Sequence, residues 1–374
     1  MAEDFKVTPW EVTGDIDYEL LQERFGTTPI SSELLAKLGR YGEPHMMLRR
    51  GIFYSHRDLN VILNEYEKGN GFFLYTGRGP SGHTHLGHIM PWMFCKWMQD
   101  TFKADMLFQF TDDEKFLFKQ DATLKETRRM AYENALDMIA LGFDTERTKI
   151  ILDTENVRTM YPIALKVAKK INLSTAKAVF GFDNTANIGS VFYTSMQAVP
   201  AFLPSELAGR NIPCLIPCGI DQDPHFRAAR DVAPGLGYMK PCQMYCKMFP
   251  GLSGADKMSS SDPSATIYTT DSAKEVKKKV GGAFTGGCVS VEEQRKKGGN
   301  PEVCAVFKYN YYLFENDDGK LNELTNRCRN GEILCGECKA ALTEKINAFL
   351  GEHQKKREKA REVIGSMTFE GFKW

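Results

Sequence analysis

The chain has 374 residues, with 48 Lys and Arg against 48 Asp and Glu, so its formal net charge is zero. A chain of this length can form two domains and bury a substantial core. Its composition is that of an ordinary soluble globular protein, and no run of about eighteen apolar residues predicts a membrane span. Zero net charge does not exclude a nucleic-acid partner, because such binding depends on a local basic face.

Features of the first residues and of the cysteines indicate the compartment. The sequence begins "MAEDFKVTPWEV", which is polar and acidic and lacks the apolar core of a signal peptide. Ten cysteines without a secretory signal are typical of reduced thiols in a cytosol, so we expect a cytoplasmic protein with no membrane partner. Cys335 and Cys338 could indicate zinc or redox chemistry, but no second pair at finger spacing is near, which favours ordinary packing.

The first 120 residues predict short helices followed by a strand–helix–strand unit. Residues 1–70 mix short helical stretches with loops, including a helix that begins at Ser31. The apolar run 72–76 predicts a buried strand, and residues 86–102 have a helical period that tolerates the early Pro91. The segment "ADMLFQF" predicts a second strand, which leads into "TDDEKF".

The same alternation continues through the middle of the chain. A helix is predicted from Thr123 to Leu141, a strand at 149–153, and a further helix from residue 156. The segment that begins "NIPCLIPCGIDQD" repeats the order of strand, polar turn and helix. Alternating strands and helices predict an α/β fold with a parallel sheet and helices on both faces. After about residue 260 the pattern is mostly helical, with a long helix after Cys335.

Three polar clusters follow predicted strands, at 76–88, 109–115 and 221–225. In a parallel α/β sheet, ligands bind at the carboxyl ends of the strands. We therefore expect the three clusters to converge on one cleft.

The stretch "TGRGPSGHTHLGH" at 76–88 allows three interpretations. The three histidines could bind zinc, or they could be ordinary turn and helix residues. A phosphate site explains more of the residues together, because a glycine-rich turn that leads into a helix presents free N–H groups and the positive end of the helix dipole. His85 and His88 then face one side of the first turn, and Gly87 lets a flat base approach the backbone.

A second motif, "GADKMSSSDP" at 254–263, has the composition of a mobile loop rich in donors. An HxGH motif after a strand, followed downstream by KMSxS, resembles the two signatures of class I aminoacyl-tRNA synthetases. Longer segments, "RRGIFYSHRDLN", "FFLYTGRGPS", "QFTDDEKF" and "CGIDQDPHFRAARDVAP", resemble the tryptophanyl-tRNA synthetases of eukaryotes. The "VTPWEV" segment resembles the N-terminal part of that branch, so the likeness spans nearly the whole chain.

The resemblance implies a Rossmann-type catalytic domain, a helical anticodon-binding domain and a homodimer. We expect residues 1–70 to pack near the ATP site, residues 71–260 to form the catalytic domain and residues 261–374 to form the helical domain. The sequence does not decide whether the last helix packs back against the catalytic domain.

The resemblance also implies a two-step reaction that uses ATP, with Mg²⁺ carried by ATP. The carboxylate of L-tryptophan attacks the α-phosphorus, and the tRNA for tryptophan then accepts the aminoacyl group. The implied catalytic residues are His85, His88, Lys257 and Arg78, which would stabilise the triphosphate. The implied ATP-binding residues are Thr76, Gly77, Gly79, His85, Gly87, His88, Lys257, Met258, Ser259, Ser260 and Ser261. No resident metal site is expected.

For tryptophan, the resemblance assigns two residues to the indole N–H and four to the amino-acid head group. Tyr75 and Gln109 would bind the N–H, while Glu114, Lys115, Gln197 and Gln222 would hold the ammonium and carboxylate groups. A helix start alone would also explain the acidic "TDDEKF". Basic clusters that could contact tRNA are Lys277, Lys278 and Lys279; Arg295, Lys296 and Lys297; and Lys355, Lys356 and Arg357.

Two other functions stay open on the sequence. One is a tyrosine-specific synthetase or a simple nucleotidyl transferase of the same class. The other is a noncatalytic tRNA-binding paralogue, against which the presence of His85, His88 and Lys257 argues.

Overall fold

A computed structural model of the chain describes residues 5–7, 12–14 and 16–368. The strands of this part are β1 (Phe5–Val7), β2 (Val12–Gly14), β3 (Thr28–Pro29), β4 (Phe53–Arg57), β5 (Phe73–Arg78), β6 (Asp105–Phe110), β7 (Thr148–Leu152), β8 (Cys214–Gly219) and β9 (Cys242–Cys246). The helices up to residue 208 are α1 (Tyr18–Phe25), α2 (Ser32–Leu38), α3 (Met46–Arg49), α4 (Leu59–Glu67), α5 (Leu86–Phe102), α6 (Asp112–Phe118), α7 (Leu124–Ala140), α8 (Val157–Ala168), α9 (Leu173–Phe180), α10 (Ile188–Met196) and α11 (Leu203–Ala208). The later helices are α12 (Asp223–Val232), α13 (Ala273–Gly281), α14 (Val291–Lys297), α15 (Ala305–Tyr309), α16 (Asp318–Arg329) and α17 (Cys335–Met367).

Seven strands form one mixed sheet in the order β3-β4-β9-β8-β5-β6-β7. The five strands from β9 to β7 are all parallel to their neighbours. This confirms the predicted parallel sheet of the catalytic part. On the other side of β9, β4 and β3 are antiparallel.

The region 1–70 is therefore not only helices and loops, as expected from the sequence. Strand β4 pairs with β9, nearly two hundred residues away, and so extends the catalytic sheet across residue 70. A pairing with such a distant segment leaves no local period in the sequence, which explains why β4 was missed.

The predicted helices and strands around the cleft form where their local signals place them. Helix α7 begins after Thr123, whose side chain accepts a hydrogen bond from the N–H of Glu126, and the chain leaves it at Gly142 with φ +86°. Helix α5 continues through Pro91 in its second turn, where proline removes the one hydrogen bond to the carbonyl of Gly87 without ending the helix. The cap at Thr123 and the turn at Gly142 thus fix the two ends of α7.

The two faces of the sheet are covered by two separate apolar cores. On β5, Leu74 packs into one core, whereas Phe73 and Tyr75 pack into the other. This alternation follows from the period of two in a strand, and it directs Tyr75 to the α8–α10 side of the sheet. Burial of each large side chain stabilises the fold by roughly 1.5–3 kcal/mol.

The C-terminal third is helical, and its last helix packs back against the catalytic part. His353 of α17 lies 3.0 Å from the Asp137 carboxylate of α7, and both side chains are buried. Arg357 donates to Glu133 of α7 at 2.6 Å and is also buried. Arg357 is therefore buried in this contact. The expectation that it belongs to an exposed basic cluster at 355–357 is wrong. No helix in the described part is long and apolar enough to cross a membrane.

Candidate active site

His85 and His88 lie together at the first turn of α5, directly after the turn that follows β5. His85 is the N-cap residue, in extended conformation, and its N–H donates to Nδ1 of His88 at 3.3 Å. The two imidazole rings are 3.7 Å apart between centroids. The pair therefore forms one surface at the N-terminal end of α5, where the helix dipole favours an anion.

The segment 257–268, which begins with "KMSSS", packs against this turn. His85 forms an antiparallel bridge with Tyr268, and the N–H of Leu86 donates to Ile267 at 3.1 Å. A Cβ placed on Gly87 would lie 3.0 Å from the His85 ring and 3.6 Å from the Met258 side chain. The structure thus brings together two stretches that are about 170 residues apart in the sequence.

Lys257 connects this surface to a third strand end. Its ammonium group lies 3.6 Å from the carboxylate of Asp221, which follows β8, and its side chain is 39% exposed. Ser259, Ser260 and Ser261 are exposed, and the hydroxyls of Ser259 and Ser261 lie 2.8 Å apart. Polar groups from the β5 turn, the β8 turn and the "KMSSS" segment therefore share one site.

Burial, reinforced by nearby cations, holds the two histidines in their neutral form. Burial, followed by the charges of Arg78 and Lys257, lowers the pKa of His85 to about 3. Burial and the same cations also lower the pKa of His88 well below its ordinary value. At neutral pH both rings are therefore uncharged hydrogen-bond donors in a positive field, an arrangement suited to a polyphosphate.

Arg78 lies inside the loop rather than in solvent. Its guanidinium donates to Thr84 at 2.6 Å and to the carbonyl oxygens of Gly82 and His83 at 2.9 Å each. Burial lowers its pKa to about 9. Nε of Arg78 and Nδ1 of His85 are buried without a hydrogen-bond partner in the described part of the chain. Such atoms are suited to a ligand with acceptor oxygens.

Two small residues of β5 occupy crowded positions. A Cβ on Gly77 would lie 2.6 Å from the carbonyl oxygen of Gln109, so the adjacent strands require glycine there. The hydroxyl of Thr76 donates to the carbonyl of Pro217 at 3.2 Å and thus faces the neighbouring strand. Both residues shape the floor of the site.

On the α8–α10 side of the sheet, a buried chain of polar side chains joins β5 to β6. The Tyr75 hydroxyl donates to Gln109 Oε1 at 2.5 Å, and Nε2 of Gln197 donates to the Tyr75 oxygen at 2.9 Å. Gln197 Nε2 also lies 3.4 Å from Gln109 Oε1. The structure thus brings these three residues into direct contact.

The head-group residues are only partly joined to this chain. Glu114 accepts from Thr111 at 2.6 Å and from Lys115 at 2.5 Å. A Cβ on Gly79 would lie 2.1 Å from the end of the Lys115 side chain, so a larger residue there would displace the Lys115 ammonium group. Gln222 is half-buried in the turn before α12, and no hydrogen bond joins it to the other five residues within the described ranges.

Three residues of this region were not singled out from the sequence. Asp153 ends the β7 segment and accepts both Nε2 hydrogen bonds of Gln109, at 2.8 and 3.0 Å. The Tyr193 hydroxyl bonds to Gln197. Burial raises the pKa of Asp113 to about 6 and that of Asp153 well above its usual range, and the two carboxyls interact. The strand-end position of Asp153 was the one signal that could have identified it.

Four of the cysteines lie around one cavity in the helical third. Cys304, Cys328, Cys335 and Cys338 line a cavity of about 210 Å³. Burial, followed by the charges of the other three thiols, raises the pKa of Cys338 to about 12. The spacing of Cys335 and Cys338 favours ordinary packing, whereas the folded chain also brings the distant Cys304 to this cavity.

Comparison with known proteins identifies the family. The family model "tRNA synthetases class I (W and Y)" matches residues 67–351. The tryptophan–tRNA ligase of Pyrobaculum calidifontis is 50% identical over 365 residues, which cover 97% of each chain. That of Pyrococcus furiosus is 48% identical and covers 99% of this chain and 96% of its own.

Solved structures agree with the sequence relatives. The crystal structure of Plasmodium falciparum tryptophanyl-tRNA synthetase matches with a TM-score of 0.89 and 38% identity, covering 94% of this chain and 97% of that one. The expected likeness to eukaryotic enzymes is therefore accompanied by a likeness to archaeal ones. The chain belongs to the class I tRNA synthetases for tryptophan and tyrosine and, within that family, to the tryptophan–tRNA ligases.

Proposed function

We propose that the cleft at the ends of β5, β6 and β8 activates L-tryptophan with ATP and then transfers it to the tRNA for tryptophan. The observation that carries this proposal is the buried chain formed by Tyr75, Gln109 and Gln197. An indole N–H can donate to an oxygen atom of this chain, whereas the ring of phenylalanine carries no donor and would gain no such hydrogen bond. The polar chain thus selects for a side chain with a donor in the ring.

In the first step, the tryptophan carboxylate attacks the α-phosphorus of ATP, and pyrophosphate leaves. Neutral His85 and His88 donate to the phosphate oxygens on which charge increases, and Lys257 supplies a positive charge from the opposite side. The burial and the positive field that lower the pKa of both histidines support this assignment. Ser259, Ser260 and Ser261, on the same segment as Lys257, then close over the triphosphate.

Arg78 has a less direct role than a free phosphate ligand. Because three hydrogen bonds hold its guanidinium in the loop, it shapes the turn and adds positive potential, while Nε remains available to an oxygen. Gly79 and Gly87 leave room for Lys115 and for the adenine ring. Mg²⁺ bound to ATP would neutralise the departing pyrophosphate.

Glu114, Lys115, Gln197 and Gln222 are proposed to hold the tryptophan head group. Glu114 would accept from the ammonium group, and Lys115 would attract the carboxylate. The 2.5 Å pair between Glu114 and Lys115 supports this, because a bound zwitterion presents one group of each sign to that pair.

The tRNA is proposed to bind along the helical domain, residues 261–374, with its backbone on basic side chains. Lys277, Lys278, Lys296, Lys355 and Lys356 are exposed and suited to this role. Lys279, in contrast, is only partly exposed and is paired with the buried Asp271 at 2.7 Å. Removal of a charge at a true contact should reduce the salt dependence of tRNA binding, and Arg357 should have no such effect.

We further propose a homodimer formed through α8 and α10. Val157, Tyr161 and Leu165 repeat at every fourth position of α8, and each is nearly half exposed. Ile188, at the start of α10, is 88% exposed. Apolar side chains exposed along one helix face are typical of an interface.

Residues 1–70 are proposed to support the ATP site, and the protein is proposed to act in the cytoplasm. The N–H of Ile16 donates to Asp256, the neighbour of Lys257, at 3.2 Å. All ten cysteines are free, which suits a reducing compartment. The sheet strands β3 and β4 show that 1–70 and 71–260 share one sheet.

The direct test is ATP–pyrophosphate exchange with tryptophan, tyrosine and phenylalanine in turn. We expect exchange with tryptophan that exceeds the other two by at least about a hundredfold in kcat/KM, since mismatched buried polar groups cost several kcal/mol. A higher kcat/KM for tyrosine than for tryptophan would show that tyrosine is the substrate. Binding of tRNA without any exchange would favour the noncatalytic alternative.

A further inference from the structure

One side chain of the last helix reaches the ATP side of the cleft and is not used in the proposed reaction. Gln354 of α17 is half-buried, and its Nε2 donates to the carbonyl oxygens of Thr269 and Asp271 at 2.8 and 3.1 Å. The segment 257–271 connects these carbonyls to Lys257. A single amide group of α17 therefore holds the far end of the segment that begins with Lys257.

The held end of this segment is paired with the turn that carries His85. The N–H and the hydroxyl of Thr269 both donate to the carbonyl oxygen of Thr84, at 2.9 and 3.2 Å. The Thr84 hydroxyl accepts from the Arg78 guanidinium at 2.6 Å. Both threonines are buried, so their polar groups depend on these protein partners. The residue that Gln354 holds is therefore the residue that is fixed to the histidine turn.

Asp271 fixes the segment from its other side. Its carboxylate accepts from the N–H of Tyr268 at 3.0 Å and pairs with Lys279 of α13 at 2.7 Å. Asp271 is buried, whereas residues 259–261 are exposed. The segment thus has one fixed end at 268–271, and a loop that closes over a triphosphate would move relative to that end.

Helix α17 is anchored to α7 by residues on both sides of Gln354. His353 lies 3.0 Å from the Asp137 carboxylate, and Arg357 donates to Glu133 at 2.6 Å. His353, Asp137 and Arg357 are all buried. Removal of the Gln354 amide should therefore change the position of the Lys257 segment rather than the docking of the helix.

The contact lies on the face of the sheet opposite to the residues proposed to bind the indole ring. Ile267 and, from α17, Leu350 pack in the core on one face, whereas Tyr75 packs in the core on the other face. A change at Gln354 should therefore act on the histidine turn and the Lys257 segment, and it should leave the indole side of the cleft unchanged.

We infer that Gln354 is a positioning residue for the activation of tryptophan, and that it sets the distance between Lys257 and His85. The inference rests on the proposed function, in which these two residues act on one triphosphate. A displacement of about 1 Å between groups that act in a transition state can reduce the rate by about a hundredfold. Two hydrogen bonds to the fixed end of the segment can therefore affect the reaction, although Gln354 donates only to the backbone.

The test measures ATP–pyrophosphate exchange by Gln354→Met in the full chain. Methionine is a long, unbranched side chain without a hydrogen-bond donor, so the variant removes both hydrogen bonds and still fills the space. We expect kcat to fall by about tenfold and KM for tryptophan to keep its wild-type value, because the contact acts on the transition state alone. Glu362→Met is the matched control, because Glu362 is an exposed residue of the same helix, and it should keep wild-type kinetics.

Two further variants separate positioning from a general effect on the structure. Gln354→Met should reduce kcat less in a His85→Ala chain than in the wild type, because the histidine to be positioned is then absent. Gln354→Asn carries its amide one methylene closer to the helix and should show a similar loss of kcat. It replaces the methionine variant if that variant does not fold.

Three outcomes would overturn the inference while the wild type still catalyses exchange with tryptophan. The first is an unchanged kcat in a folded Gln354 variant, and the second is an equal reduction of kcat with and without His85. The third is a higher KM for tryptophan together with a lower Tm, which would show a general structural role. A wild type without exchange would overturn the proposed function and, with it, this inference.

Discussion

The tryptophan side of the cleft depends on a few buried oxygen and nitrogen atoms. Gln109 Nε2 is directed by Asp153, so its Oε1 faces Tyr75. Tyr75 is fully buried, and its hydroxyl therefore depends on these side-chain partners. Each hydrogen bond of this buried set of side chains is thus oriented by the neighbouring side chain before any substrate binds.

Tyr75→Phe should lower kcat/KM for tryptophan in the exchange reaction by about ten- to a hundredfold. The substitution removes the hydroxyl that donates to Gln109 Oε1 and accepts from Gln197 Nε2, and the loss of a buried hydrogen-bond partner costs about 1–3 kcal/mol. Tyr309→Phe is the matched control, since the Tyr309 hydroxyl is buried but has no hydrogen-bond partner in the described part of the chain. Equal activity of the two variants would contradict the role of the polar chain.

Asp113→Asn should change how stability depends on pH. Burial and the adjacent carboxylates raise the pKa of Asp113 to about 6, above its value in the unfolded chain, so the native state binds more protons between about pH 4 and 6. The Asp113 contribution to the free energy of unfolding therefore decreases as pH rises through this range, by at most about 1.4 kcal/mol per pH unit. Asparagine removes this titration.

Urea unfolding of wild type and Asp113→Asn at pH 4, 5, 6 and 7 measures this effect. The stability of the variant relative to wild type should increase from pH 4 to 6 and then stay constant. Asp121→Asn, at an exposed aspartate, serves as the control and should show no such change. A constant difference for Asp113→Asn at all four values would show that its carboxyl titrates normally.

At the level of elements, local signals predicted the units around the cleft, and long-range pairing determined the rest. The cap at Thr123 and the apolar period of α5 are encoded within a few residues, so these helices were predicted with nearly correct ends. Strand β4 is held by β9, and the burial of Arg357 depends on α7. Contacts of this kind are set by tertiary packing and cannot be derived from a short window.

The exposed face of α8 leads to a prediction for assembly. Tyr161→Asp places a charge in the apolar row and should weaken the dimer by at least about thirtyfold, the effect of losing about 2 kcal/mol at an interface. Light scattering across a dilution series measures the mass. Val289→Asp, at a fully exposed valine outside this row, should remain dimeric. A wild-type mass for Tyr161→Asp would place the interface elsewhere.

At the level of the whole molecule, the sheet and the α17 contacts place distant motifs at one cleft. The sequence predicts that the strand-end clusters converge, and the structure places Lys115 beside Gly79 and places Lys257 3.6 Å from Asp221. It also shows what the motifs alone did not indicate. The C-terminal helix supports the same region, because Gln354 donates to the carbonyl oxygens of Thr269 and Asp271 at 2.8 and 3.1 Å.

The account requires His85 and Lys257 to act on the same triphosphate. The most direct measurement is tryptophan-dependent exchange by His85→Ala, Lys257→Ala and the double variant. Each single change should reduce the rate by about a hundredfold, the usual effect of losing one transition-state donor. The fold reduction in rate of the double variant should be at least about tenfold smaller than the product of the two single reductions, because both residues act on the same triphosphate. Losses that multiply fully, or an unchanged rate in Lys257→Ala, would contradict a shared site.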